Sequence, residues 1–131
     1  MRIALFDFDG TITRTDSLID FIQLSVGKVS YYKGLFLLSP FLFAYCIKLI
    51  PNYIAKEKLI SYFFKDWDQL RFEQLAAQYS LNKIDLITRP NAMKKILWHK
   101  EQGHKIVIVS ASIESWLKPW CDRNNIELIS T

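Results

Sequence analysis

Two short, unbroken apolar runs and the start of a third strand-like segment punctuate the chain, and the stretches between them carry helical periodicity. The first is Arg2 to Asp7, the second Lys105 to Ser110 and the third Ile126 to Ser130. Unbroken runs, unlike alternating ones, suit strands buried on both faces, as in parallel sheets. Before the second run, Pro90 can open a helix, Ala92, Met93, Ile96 and Leu97 give it an apolar stripe, and Gly103 can stop it. After it, Ile113, Trp116, Leu117 and Trp120 recur at helical spacing, with Pro119 predicting a kink or a later start. Strand, helix, strand, helix, strand is the order of an α/β fold with a parallel sheet.

The gap between the first two runs is far longer than the dozen or so residues that a parallel crossover requires. It contains no strand pattern. Asp16 or Ser17 can cap a helix holding Leu18, Ile19, Phe21 and Ile22 and ending near Gly27. Leu59, Ile60, Phe63 and Phe64 mark another. Asp68 can cap a third, in which Phe72, Leu75, Ala76 and Tyr79 follow at steps of three and four. The expected organisation is an α/β core from 1–13 and 87–131 interrupted by a helical insertion over 14–86. Within the insertion, residues 35–50 are very apolar, but Pro40 and Lys48 interrupt them and they fall short of the roughly 20 residues of a membrane span. The leading expectation is a buried helix, and the second is contact with a lipid surface.

Composition narrows the class. Half of the 131 residues are apolar, enough for a core. The net charge of +4 is modest and spread out, which gives no nucleic-acid signature and mildly favours anionic small molecules or lipid. Cys46 and Cys121 form no zinc pattern and are expected as reduced, partly buried thiols, consistent with a cytoplasmic protein. Asp7 and Asp9 interrupt the N-terminus where a signal peptide would need an apolar stretch. His99 and His104 are expected at the surface, and the four tryptophans in packing roles.

The candidate chemistry sits in Asp7-Phe8-Asp9-Gly10-Thr11, directly after the first strand. Ligands of open α/β sheets bind at the carboxyl ends of strands. There Asp7 can act as a nucleophile toward phosphorus, and Asp9 as the acid and base for the leaving oxygen and for water. Anionic Asp7 would repel a phosphate unless a cation lies between them, which implies Mg²⁺, an ion suited to carboxylate, carbonyl and phosphate oxygens. Ser110 again follows a strand directly; with the backbone N–H of Ala111 it can hold phosphoryl oxygens. A lone serine there is more often a simple helix cap, so its weight comes from its combination with Asp7.

These motifs, at this spacing and separated by helices, resemble the haloacid dehalogenase (HAD) superfamily, in its branch with an inserted all-helical C1 cap, subfamily IB, which includes phosphoserine and phosphatidylglycerophosphate phosphatases. The resemblance implies a Rossmann-like parallel sheet and phosphate-monoester hydrolysis through an aspartyl-phosphate. Asp7 would be nucleophile, Asp9 general acid/base, and Thr11 part of the first motif and the phosphate site. Asp7 and the Asp9 backbone carbonyl would bind Mg²⁺, and Ser110 and Ala111 the phosphate. Asp16 stands where the family's phosphoserine enzymes usually carry a Glu that holds the substrate amine.

The family's third and fourth motifs, a lysine and an acidic pair, are not visible. The expectation is therefore an N-terminal fragment with little activity alone and an apolar edge at residues 3–6 that invites self-association. The apolar stretch at 35–50 favours a lipid-linked over a small polar phosphate and a peripheral position at the inner face of a membrane. The alternative is a non-catalytic binding or scaffold protein on the same fold. A phosphotransferase or phosphonatase of the superfamily fits the cap less well.

Overall fold

The computed structural model describes residues 2–130. Strand β1 (Ile3–Phe6) is followed by six helices: α1 (Ser17–Val26), α2 (Lys28–Leu37), α3 (Ser39–Cys46), α4 (Asn52–Phe64), α5 (Gln69–Asn82) and α6 (Ile84–Ile87). Then come α7 (Pro90–Glu101), β2 (Lys105–Ser110), α8 (Glu114–Arg123) and β3 (Glu127–Ser130). The strands form a parallel sheet in the order β1-β2-β3, with Phe6 opposite Ile108 and Val109 opposite Ile129. The class is α/β, as the strand-helix alternation predicts.

Helix ends follow local chemistry. Pro90 opens α7, where a missing N–H costs nothing. Helices α7, α8 and α3 all finish in the same paired turn, in which the second residue past the cap donates back across the last turn. His104 N–H reaches the His99 carbonyl at 3.0 Å, Ile126 that of Cys121 at 2.8 Å, and Leu49 that of Ala44 at 2.8 Å. Each turn puts one residue in the left-handed region: Gly103, Asn125 and Lys48. Glycine and asparagine tolerate it, whereas lysine adopts it against steric preference.

The chain divides into two compact units, one of residues 1–21 with 73–131 and the other of residues 22–72. The second is entirely helical and lies inside the 14–86 stretch expected as an insertion. In the first unit, Phe21 near the start of α1 packs against Trp116 of α8 with ring centroids 4.5 Å apart, and Tyr79 of α5 meets both rings edge-on. These contacts assign the start of α1 and most of α5 to the sheet unit.

Several expectations need correction. Strand β1 is not buried on both faces: Ile3 is 58% and Leu5 66% exposed, and Val109 and Ile129 on the same face are also exposed. Two successive right-handed crossovers along one direction put α7 and α8 on one side, so the other face is open at Ile3, Leu5, Val109 and Ile129, while Val107 of the central strand is buried there. Residues 35–50 do not form one buried helix. The chain breaks at Leu38 ahead of Pro40, and α3 has no buried residue at all. Pro119 neither delays α8 nor ends it; it lies inside a helix that begins at Glu114. Cys46 is exposed and only Cys121 is buried, which pushes its thiol up to about 12. Trp116 and Trp120 are core residues, but Trp98 is exposed. His99 and His104 are half-buried with their Nδ1 atoms 2.9 Å apart, and partial burial, His104 and Lys95 hold His99 below the ordinary histidine range.

In the helical unit, α2 meets α4 at Gly34, where a Cβ would lie 2.4 Å from the Phe63 ring and 2.8 Å from Tyr62. Phe63 is itself buried and cannot swing clear. Gly34→Ala is expected to destabilise the chain by about 1–3 kcal/mol through overpacking, offset only in part by better helix propensity. Urea denaturation monitored by circular dichroism measures this, and an unchanged or raised midpoint would contradict the close approach.

Candidate functional site

Asp7 and Ser110 leave the carboxyl ends of adjacent parallel strands, β1 and β2. The intervening loop after β1 is built around the Phe8 carbonyl. It accepts from the backbone N–H groups of Thr11 at 3.2 Å, Ile12 at 2.9 Å and Thr13 at 3.1 Å. Buried Thr13 tightens the same turn, its hydroxyl donating to the Thr15 carbonyl at 2.7 Å and accepting from Gly10 N–H at 3.2 Å. Gly10 has φ +78°, a conformation that lets the chain reverse directly after Asp9. Phe8 is fully buried against Trp120, with centroids 5.4 Å apart. Burying the residue between them fixes the two carboxylates on the loop. Asp7 is exposed, and its Oδ1 accepts from Phe8 N–H at 2.8 Å.

Asp9 is tied at both oxygens. Oδ1 accepts from Ser17 N–H at 2.9 Å, at the start of α1, and Oδ2 from the Ser112 hydroxyl beyond β2. Ser112 N–H in turn donates to the hydroxyl oxygen of buried Ser110 at 3.0 Å. Ser17 Oγ accepts from the Trp116 indole at 3.2 Å, so the contact continues into the core of α8. The structure thus brings Asp9 and Ser110 into one hydrogen-bonded chain through Ser112. Ser17, Ser112 and Trp116 have roles that sequence reading missed. Ser112 stood beside Ser110 in the motif, but nothing in the sequence pointed its hydroxyl at Asp9.

Asp16 has a local task. Its Oδ1 accepts from Leu18 N–H at 2.9 Å and Ile19 N–H at 3.3 Å, which makes it the N-cap of α1. Asp20, one turn on, accepts from the Tyr79 hydroxyl at 2.8 Å. Burial first, then this bond and the nearby Asp20, Asp9 and Asp16 carboxylates, drive the Tyr79 phenol far above its ordinary value, so it stays protonated. Thr11 is exposed, its backbone N–H engaged with Phe8.

The donor set suits Mg²⁺. The exposed Asp7 carboxylate and the Asp9 main-chain carbonyl, on the same loop, are the oxygens that would hold the cation. Two hard protein oxygens supplemented by water and substrate phosphate are typical for this ion. Among the described residues no cluster of three or more His, Cys, Asp or Glu side chains forms a metal cage.

The capping role of Asp16 is testable apart from any chemistry. Asp16→Ala is expected to cost about 1 kcal/mol of stability, with Asp16→Asn or Asp16→Ser retaining most of it, since either can cap. Equal thermal midpoints for the alanine variant and the parent would remove the cap from the account.

Comparison with known proteins gives the family and the fold. The family model described as haloacid dehalogenase-like hydrolase matches residues 4–131. Among solved structures, the crystal structure of a phosphoserine phosphohydrolase-like protein from Francisella tularensis subsp. tularensis SCHU S4 superposes with a TM-score of 0.65 at 17% identity. That likeness covers 99% of this chain and 58% of the other, so the chain spans under two thirds of its neighbour's length. No curated protein matches the sequence. With almost every residue inside the family model and the Asp7 motif at the head of a parallel sheet, the chain belongs to the haloacid dehalogenase-like hydrolases.

Proposed function

We propose that this chain carries the nucleophile and phosphate-binding part of a Mg²⁺-dependent phosphomonoesterase. The observation that supports this best is the Asp9–Ser112–Ser110 chain of hydrogen bonds, which holds the Asp9 carboxylate and the Ser110 hydroxyl at one end of the sheet beside Asp7. Enzymes of this family generally use Mg²⁺. Bound between Asp7 and the phosphate, the ion would mask their mutual repulsion.

In this reading an Asp7 oxygen attacks phosphorus as the ester P–O bond breaks, and the leaving alkoxide takes a proton from Asp9. Asp9 then accepts a proton from water, whose oxygen attacks phosphorus. The P–O bond to Asp7 breaks, and inorganic phosphate leaves with Asp7 restored. Ser110 and Ala111 hold the phosphoryl oxygens, and Thr11 borders them.

The substrate class is a phosphate monoester. Asp16 is committed to α1, which weakens a role in holding a serine amine, and the exposed apolar α3 favours a hydrophobic or lipid-linked ester. The placement in this reading is cytoplasmic, peripheral at the inner face of a membrane. A second copy of the chain is a further proposed partner: among the described residues β1 is an edge strand paired only with β2, and its outer face carries exposed Ile3 and Leu5.

Two experiments test these readings. In the protein that carries this chain, assayed with Mg²⁺, Asp7→Asn should reduce para-nitrophenyl phosphate turnover by at least about 10³-fold, on the scale of losing a covalent nucleophile. Turnover within tenfold of the parent, or indifference to excess chelator, would refute the mechanism. For the edge, sedimentation velocity should show concentration-dependent dimers of the 131-residue chain that Leu5→Lys suppresses. A monomer at all concentrations, or dimers indifferent to the lysine, would count against pairing through β1.

A further inference from the structure

Helix α3 reads Ser-Pro-Phe-Leu-Phe-Ala-Tyr-Cys, apolar on every side, yet none of its residues is buried. A helix apolar all round normally belongs inside a protein core or a membrane. The neighbouring positions share its exposure. Phe36 at the end of α2 is 78% exposed, Phe43 in the middle of α3 67%, and Leu49 just beyond it 72%; Leu37, Phe41 and Ile47 are exposed as well. No helix among the described residues is long and apolar enough to cross a bilayer. What remains for such a surface is to lie along one.

Charge separates a lipid surface from a protein partner. The helical unit, residues 22–72, carries six lysines (28, 33, 48, 56, 58 and 65) and Arg71 against three acids, Glu57, Asp66 and Asp68. That surplus equals the +4 of the entire chain, so the rest of the chain is neutral. The cations are interleaved with the apolar positions. Lys58 Nζ lies 4.8 Å from the centre of the Phe41 ring, and Lys33 is exposed on α2. Lys48 closes α3 at φ 64°, in the turn position that glycine and asparagine fill at the other two such ends. A backbone strained to hold a lysine, where glycine would relax it, is an outlier of the kind that function retains. Exposed Lys48 stands in the chain between the exposed Ile47 and Leu49, and a side chain of its length can reach a headgroup while they enter the acyl boundary.

We propose that the α2–α3 segment docks on an anionic bilayer surface, its exposed phenylalanines and leucines entering the interface and its lysines meeting lipid phosphates. This stands apart from the phosphatase reading, since binding to inert vesicles requires no turnover.

The test is co-sedimentation of the 131-residue chain with vesicles of phosphatidylcholine, with and without phosphatidylglycerol. The expected result is at least about tenfold stronger partitioning onto the anionic vesicles, falling as salt is raised. Phe36→Ser/Phe43→Ser/Leu49→Ser should lose binding, and Lys33→Glu/Lys48→Glu should lose the preference for anionic lipid. All five residues are exposed, so circular dichroism should show both variants folded; if the serine variant unfolds, the charge pair decides. Protein left in the supernatant with both vesicle types would overturn the proposal. So would equal binding to neutral and anionic vesicles, or parental binding by the charge variant. Oligomers formed without lipid and abolished by the serine substitutions, with no vesicle binding, would instead assign the surface to a second copy of the chain.

Discussion

One carboxylate organises the sheet end of this molecule. Asp9 accepts simultaneously from the first N–H of α1 and from the Ser112 hydroxyl beyond β2, so a single side chain fastens the loop after β1 to the helix that follows it and to the neighbouring strand's exit. Charge-assisted hydrogen bonds of this type are stronger than neutral ones. They also join segments about a hundred residues apart in sequence, which lets two short motifs act as one site. Removing the side chain would leave the Ser17 amide and the Ser112 hydroxyl without their acceptor in a part-buried place, which is costlier than losing a surface contact.

The surroundings support that arrangement. Phe8 is buried between the two exposed or half-exposed acids and presses on Trp120, while Ser17 takes the indole proton of Trp116. Trp116 in turn packs against Phe21 and meets Tyr79 edge-on. The aromatic core therefore holds the loop from below, and the acids above it remain available to solvent and substrate. Tyr79 shows the electrostatic setting: burial together with three nearby carboxylates keeps its hydroxyl protonated, so it serves Asp20 as a donor and not as a base.

Much of this was legible in the chain. The strands announce themselves because a parallel strand needs a contiguous apolar run, and Asp7 and Ser110 mark where two of them end. Pro90, Gly103 and Asp68 give helix limits through backbone chemistry that barely depends on tertiary contacts, and Asp68 does accept from Arg71 N–H at 2.7 Å. What could not be read was exposure. Hydropathy predicts a buried 35–50 segment and a doubly covered β1, but burial depends on what lies opposite, and periodicity carries no information on that. The serine links were hidden for a related reason, since a hydroxyl's partner is set by long-range packing. Asp16 shows how the two levels compete: resemblance suggests a substrate contact there, and the local rule for helix starts describes what its carboxylate does.

The two thiols are chemically unequal, and this makes the native chain convenient to handle. Cys121 is sealed within α8 and held protonated at neutral pH, whereas Cys46 stands in the open at the last turn of α3. Only thiolate reacts readily with alkylating reagents, and only where the reagent can reach it. A maleimide dye should therefore mark Cys46 alone while the fold is intact, giving a reporter on α3 without mutagenesis, and uptake of a second label would signal that the core around Trp116 and Trp120 had opened.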